Sequence, residues 1–113
     1  MTRATKLKAG KPVVSEKQFQ EAVIQLAKLH KWRVYFTWNS IHSPAGFPDL
    51  CLIRRGKYPR GTRLAFIELK TDTGKLTEAQ REWIDDLRSV PGFFIEVYVW
   101  RFSDFAVIEK ILK

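Results

Sequence analysis

The chain has 113 residues, enough for one self-sufficient core without metal or disulfide staples. Apolar content of 45% and aromatic content of 13% exclude a disordered chain, and no apolar run reaches the roughly 18–20 residues that span a bilayer. The formal charge of +8 suggests a polyanionic partner, nucleic acid above all, with a solvated basic surface that has no partner as the alternative.

Residues 1–12 (MTRATKLKAGKP) carry Arg3, Lys6, Lys8 and Lys11, no acid and no periodicity, and read as a flexible basic arm ahead of one domain over 13–113. The first helix opens at Ser15, an N-cap completed by Gln18 into a capping box, with Val14 placed to staple onto Phe19. Phe19, Val23, Leu26 and Ala27 form its apolar stripe to about His30. RVYFTW (33–38) predicts a strand, 39–47 a loop and DLCLI (49–53) a second strand with Pro48 just outside it. The lone Cys51 cannot form an internal disulfide and is expected to be a small buried hydrophobe in a reducing, intracellular setting. RRGKYPRGTR (54–63) is a turn with five basic residues and no acid: Arg54, Arg55, Lys57, Arg60 and Arg63. Phosphate contacts to DNA are the expected use of these five, the alternative being an ordinary solvated hairpin turn.

RLAFIELK (63–70) predicts a third strand, central because both faces are apolar until Glu68. Thr77 caps a second helix, with Gln80 completing another capping box, Trp83, Ile84 and Leu87 inward, and Pro91-Gly92 ending it. FFIEVYVW (93–100) is a fourth strand, and Ser103 is the expected cap of a last short helix with Phe105, Ile108 and Leu112 inward. The order is α-β-β-β-α-β-α, an α/β domain with a mixed sheet flanked by helices.

Glu68 and Lys70 are two apart on a strand, so they leave the same face. A short turn between the second and third strands makes them antiparallel, which brings Asp49 beside Glu68 with Lys70 close by. Two carboxylates suit Mg²⁺ or Mn²⁺, completed by water and phosphate oxygens. The lysine then orients the attacking water or stabilises developing charge. An isolated E-x-K on a strand is more often an interstrand ion pair. The Pro-Asp upstream and the basic surroundings favour the catalytic reading here.

GFPDL (46–50), FIELK (66–70) and LTEAQREW (76–83), taken in this order, resemble the VRR-NUC branch of the PD-(D/E)xK nucleases, most closely its small stand-alone phage-type members. The resemblance covers about residues 15–113. It implies a restriction-endonuclease-like core and metal-dependent hydrolysis of DNA phosphodiesters. It also implies a homodimer acting on branched DNA such as four-way junctions, in a cytoplasmic setting, with phage encoding one alternative. By the same resemblance Asp49 and Glu68 match the metal-binding acids, Lys70 the catalytic lysine, and Leu69 the residue that lends a backbone carbonyl to the metal. Gln80 matches the glutamine of the following helix, where its capping box is an equally good explanation, and both can hold. The family places a glutamate on the first helix, where this chain departs from the pattern. Aligning Val23-Ile24 puts Gln20 in that place, Glu16 lies one turn earlier, and Glu21 points further round; Glu16 is the favoured third metal ligand.

His42, in the loop before Pro-Asp, is read as exposed, with a phosphate contact the less favoured alternative, and His30 as an end charge on the first helix. No Cys/His set has zinc-ligand spacing, and no phosphate-cradling glycine motif is present. The rival reading is a non-catalytic DNA-binding or interaction module on the same fold.

Overall fold

A computed structural model describes residues 5–6, 12–37, 42–57, 61–92 and 95–113. Strands β1 (Thr5–Lys6) and β2 (Pro12–Val13) pair antiparallel as a short two-stranded sheet. Arg3, Lys8 and Lys11 lie outside the described residues, as do Trp38, Arg60, Phe93 and Phe94.

Helix α1 (Glu16–Leu29) starts as its sequence dictates. The Ser15 side chain accepts from Gln18 N–H and the Gln18 side chain accepts from Ser15 N–H, each at 3.0 Å. Phe19, Val23 and Ala27, each four residues from the last, bury one stripe. Strands β3 (Arg33–Phe36), β4 (Leu50–Arg54), β5 (Arg63–Lys70) and β6 (Glu96–Arg101) form one sheet in that order. The first three are antiparallel, and β5 and β6 are parallel, joined through α2 (Glu78–Arg88). The fold is therefore the expected mixed sheet flanked by helices, with β5 inside it. Helix α3 (Phe105–Leu112) closes the chain.

The sheet has two unlike faces because side chains alternate along each strand. One face presents Ala65, Ile67 and Leu69 of β5, Leu50 and Leu52 of β4 and Trp100 of β6. These pack with Phe19, Val23 and Ala27 of α1, Trp32, and Ile108 and Leu112 of α3 into one core. The opposite face carries Phe66, Glu68 and Lys70. There Phe66 meets Phe47, and Phe47 in turn meets Trp83 of α2.

Several boundaries differ from expectation. α2 ends at Arg88 rather than at Pro91-Gly92, with Ser89 as C-cap and its hydroxyl donating to the Asp86 carbonyl. Ser103 does not cap α3. Its N–H is tied to Asp72, a 3₁₀ turn spans Phe102–Asp104, and Asp104 occupies the cap position. Cys51 is half-buried, since it alternates with Leu50 and Leu52 and so leaves the core face; its partial burial pushes the thiol pKa up.

The largest correction concerns two of the basic residues expected to touch DNA. Arg63 is buried and forms a two-pronged bond to Glu96, at 2.8 Å and 2.7 Å, and also donates to the Ile111 carbonyl. Arg54, its cross-strand partner, donates to the carbonyls of His30, Leu112 and Lys113. Both guanidiniums lie 4.8 Å from the centre of the Trp32 ring, whose indole N–H donates to the Leu112 carbonyl. The carbonyls at the end of α3 lack intrahelical donors and carry partial negative charge, so two arginines and an indole satisfy them. These side chains lock α3 to the sheet. Arg63→Ala is expected to destabilise the protein by about 3 kcal/mol in urea unfolding, because Glu96 loses its charged, two-pronged partner in a partly buried place and keeps the neutral Tyr98 O–H donor. A loss under about 1 kcal/mol would mean that the pair is screened like a surface pair.

Candidate active site

The site lies where β5 ends and β4 begins. Leu69 is fully turned into the core, which forces its neighbours Glu68 and Lys70 to the other face. The β4–β5 register pairs Leu50 with Ile67, and this brings Asp49, the residue before β4, alongside Glu68. Leu69 N–H donates to Asp49 Oδ2 at 2.8 Å, so the strand backbone itself holds the first carboxylate in position.

Glu68 is only 2% exposed. Its Oε2 accepts from Gln80 Nε2 at 3.0 Å, while its Oε1 is buried with no hydrogen-bond partner. Burial is the main force on this carboxyl and the neighbouring Asp49 adds to it. Lys70 works in the opposite direction and Glu16 contributes a smaller push the same way as Asp49. The result is a pKa pushed up to about 8.

Gln80 serves both of its candidate roles. Its Oε1 accepts from Thr77 N–H at 2.9 Å, completing the capping box of α2, and its Nε2 reaches Glu68. A single amide has an acceptor at one end and donors at the other, so capping the helix and holding the acid do not compete.

The loop before Asp49 is packed tightly. Phe47 meets Phe66 and Trp83 edge-on, with ring centres 6.0 Å and 4.9 Å apart. Gly46 has φ +93°, and a Cβ there would lie 2.5 Å from the Ala79 carbonyl carbon. Only glycine accepts both that backbone and that contact. A cavity of about 380 Å³ opens beside Asp49 and Gln80, lined also by Gln20, Thr37, Ser43 and Gly46. Thr37 and Ser43 lie outside the motifs read from the sequence, whereas Gly46 opens the GFPDL stretch. For Gly46, the glycine two residues before Pro-Asp was the available signal.

On α1 the structure brings Gln20, not Glu16, to the cavity. Glu16 is exposed, and among the described residues no three of His, Cys, Asp and Glu converge as a metal-binding group. Gln20, one turn further along α1, is the residue that lines the cavity, while Glu21 is exposed and does not. Glu16 reaches the site through its field on Glu68. Arg55 and Lys57 are exposed at the far end of β4, Arg60 lies outside the described residues, and His42 is exposed and does not line the cavity.

Residues 2–100 match the family model of the VRR-NUC domain, a span that begins inside the basic arm. The chain belongs to the VRR-NUC family. It therefore carries a nuclease-type, DNA-binding domain. A solved structure of a VRR_NUC domain protein is similar in fold, with a TM-score of 0.62 and 26% identity over 88% of this chain and 86% of that one. Comparison with the curated proteins returned no match. Among the described residues, no helix of this VRR-NUC protein is long and apolar enough to cross a membrane.

Two outcomes follow from the site. Glu68 titrates near 8 when folded against an ordinary value of 4.5, so between those values the folded protein holds a proton that the unfolded chain has released. Metal-free stability therefore falls as pH rises from about 4.5 to about 8. Thermal melts in EDTA should show this fall, and Glu68→Gln should flatten it and melt above the wild type at pH 8. Gly46→Ala is expected to cost roughly 2 kcal/mol in chemical denaturation, since it adds left-handed strain to a backbone clash.

Proposed function

We propose that this VRR-NUC protein is a Mg²⁺- or Mn²⁺-dependent DNA endonuclease in which Asp49 and Glu68 hold the cation. The observation that carries the reading is the buried, unpartnered Oε1 of Glu68 beside a second carboxylate. Such a group is left unsatisfied unless a proton or a cation meets it. A hard divalent ion fits the oxygen donors present: the two carboxylates and the backbone carbonyl of Leu69, with water and phosphate oxygens filling the remaining positions. When bound, the ion supplies Lewis-acid polarisation of the phosphodiester and lowers the pKa of water.

The chain's own residues do the rest. The Leu69 N–H fixes Asp49, and the Gln80 amide fixes Glu68. Lys70 leaves the strand on the same face as Glu68, where its ammonium orients the attacking water and offsets negative charge growing on the phosphate. Gln20 occupies the cavity wall where the family pattern has an acid, and there its amide hydrogen-bonds water rather than adding a third negative charge. The likeness to small stand-alone relatives extends the proposal to branched DNA, including four-way junctions, acted on by a homodimer.

The test is cleavage of linear duplex, single-stranded, flap and four-way-junction DNA with Mg²⁺ and with Mn²⁺. Junction cutting is expected, lost by at least 100-fold in Glu68→Ala and in Lys70→Ala. Calorimetric titration of Mn²⁺ should show binding that Glu68→Ala abolishes and Lys70→Ala retains. A protein that binds DNA but no metal, and leaves every substrate whole, would instead be a non-catalytic DNA-binding module.

A further inference from the structure

The larger of the two cavities described here lies away from the acids. It has a volume of about 500 Å³ and opens at the opposite end of the sheet, where β3 begins and β4 ends. Lys31, Arg33, Arg54 and Arg55 line it, with His30 and Thr62, and no acidic side chain does. Arg54 is part of the fixed wall, held by three backbone carbonyls. Lys31, Arg33 and Arg55 are exposed.

Lys31 carries an independent signal. It follows the C-cap of α1 with φ 74°, the one positive φ at a non-glycine among the described residues. That left-handed position after a helix is where glycine costs nothing and a lysine is strained. The chain therefore places a charge at the rim of this cavity at some expense of stability.

The cavity is also aligned with the active site. From Asp49, just before β4, to Arg54 at its end is roughly 16 Å at ~3.3 Å per residue. The sheet face between carries Tyr35 and Ile53, 65% and 40% exposed, on the same side as Arg33. DNA phosphates advance ~3.4 Å each along the helix axis and also wind around it, so this span is at most about five nucleotides.

We propose that the cavity is a second phosphate site for DNA, in which Lys31, Arg33 and Arg55 contact neighbouring backbone phosphates a few nucleotides from the one at the carboxylates. The site reads charge and position, not base sequence. It rests on the DNA-binding part of the reading above, not on cleavage, and adds Lys31 and Arg33 to Arg55 of the basic turn.

Fluorescence anisotropy of a labelled 20-base-pair duplex, without divalent metal and across a NaCl series, tests it. Arg33→Ala/Arg55→Ala should bind about tenfold more weakly near 0.1 M salt, with a log–log salt slope shallower by about 2. Lys31→Gly should weaken binding about threefold, with a slope shallower by about 1, while its unfolding midpoint rises. A simple loss of structure cannot give that pairing. Calorimetry with inorganic phosphate alone should show at most millimolar binding; tight uptake of free phosphate would make this a small-anion site and overturn the proposal. Unchanged affinity and slope in the variants overturn it too, and if the wild type still cuts DNA the nuclease reading survives. Binding that depends on Arg33 and Arg55 in a protein that cuts nothing sinks the nuclease reading and upholds this one.

Discussion

Asp49 and Glu68 stand side by side at the end of a buried sheet, and like charges so placed cannot both ionise without help. Most of the local architecture serves that placement. Leu69 anchors its strand in the core, its N–H takes one carboxylate, and the Gln80 amide takes the other. What remains is a carboxylate oxygen shut away from solvent and from every donor. A buried polar atom of that kind stores unfavourable energy in the fold.

Rigidity around the pair comes from ordinary contacts. Arg101 lies beside Lys70 in the parallel register and donates to the carbonyls of Thr71 and Gly74, while Asp72 accepts from Ser103 N–H. The short loop after β5 is thereby pinned, and with it the start of α2 that carries Gln80. On the other side, Gly46 allows the loop before Asp49 to lie against Ala79, and Phe47 wedges between Phe66 and Trp83. Both approaches to the acids are therefore held by packing and backbone hydrogen bonds, as a preorganised site requires.

The positive charge is divided by function. Arg54 and Arg63 look, in sequence, like members of one basic turn with Arg55 and Lys57. In the fold they stack on Trp32 and satisfy the carbonyls at the end of α3. Arg54 and Arg63 are opposite each other in the β4–β5 register and point to the core face, while Arg55 and Lys57 lie beyond the strand in solvent. A net charge says nothing about this division, because it depends on which side of a pleat each residue leaves.

The sequence by itself determined whatever short-range physics controls. Both capping boxes, the stripe of α1 and the shared face of Glu68 and Lys70 on β5 were legible because each depends on neighbours within a turn or on a period of two. The closeness of Asp49 and Glu68 was legible too, since a short turn leaves few ways to pair two strands. Tertiary structure alone decided that Gln20 rather than Glu16 lines the cavity, because that depends on the height at which α1 crosses the sheet. It decided that Gln80 reaches Glu68 as well as Thr77, and that Lys31 meets Arg33 and Arg55 around one cavity. These are contacts between segments far apart in the chain, and no local period or propensity encodes them.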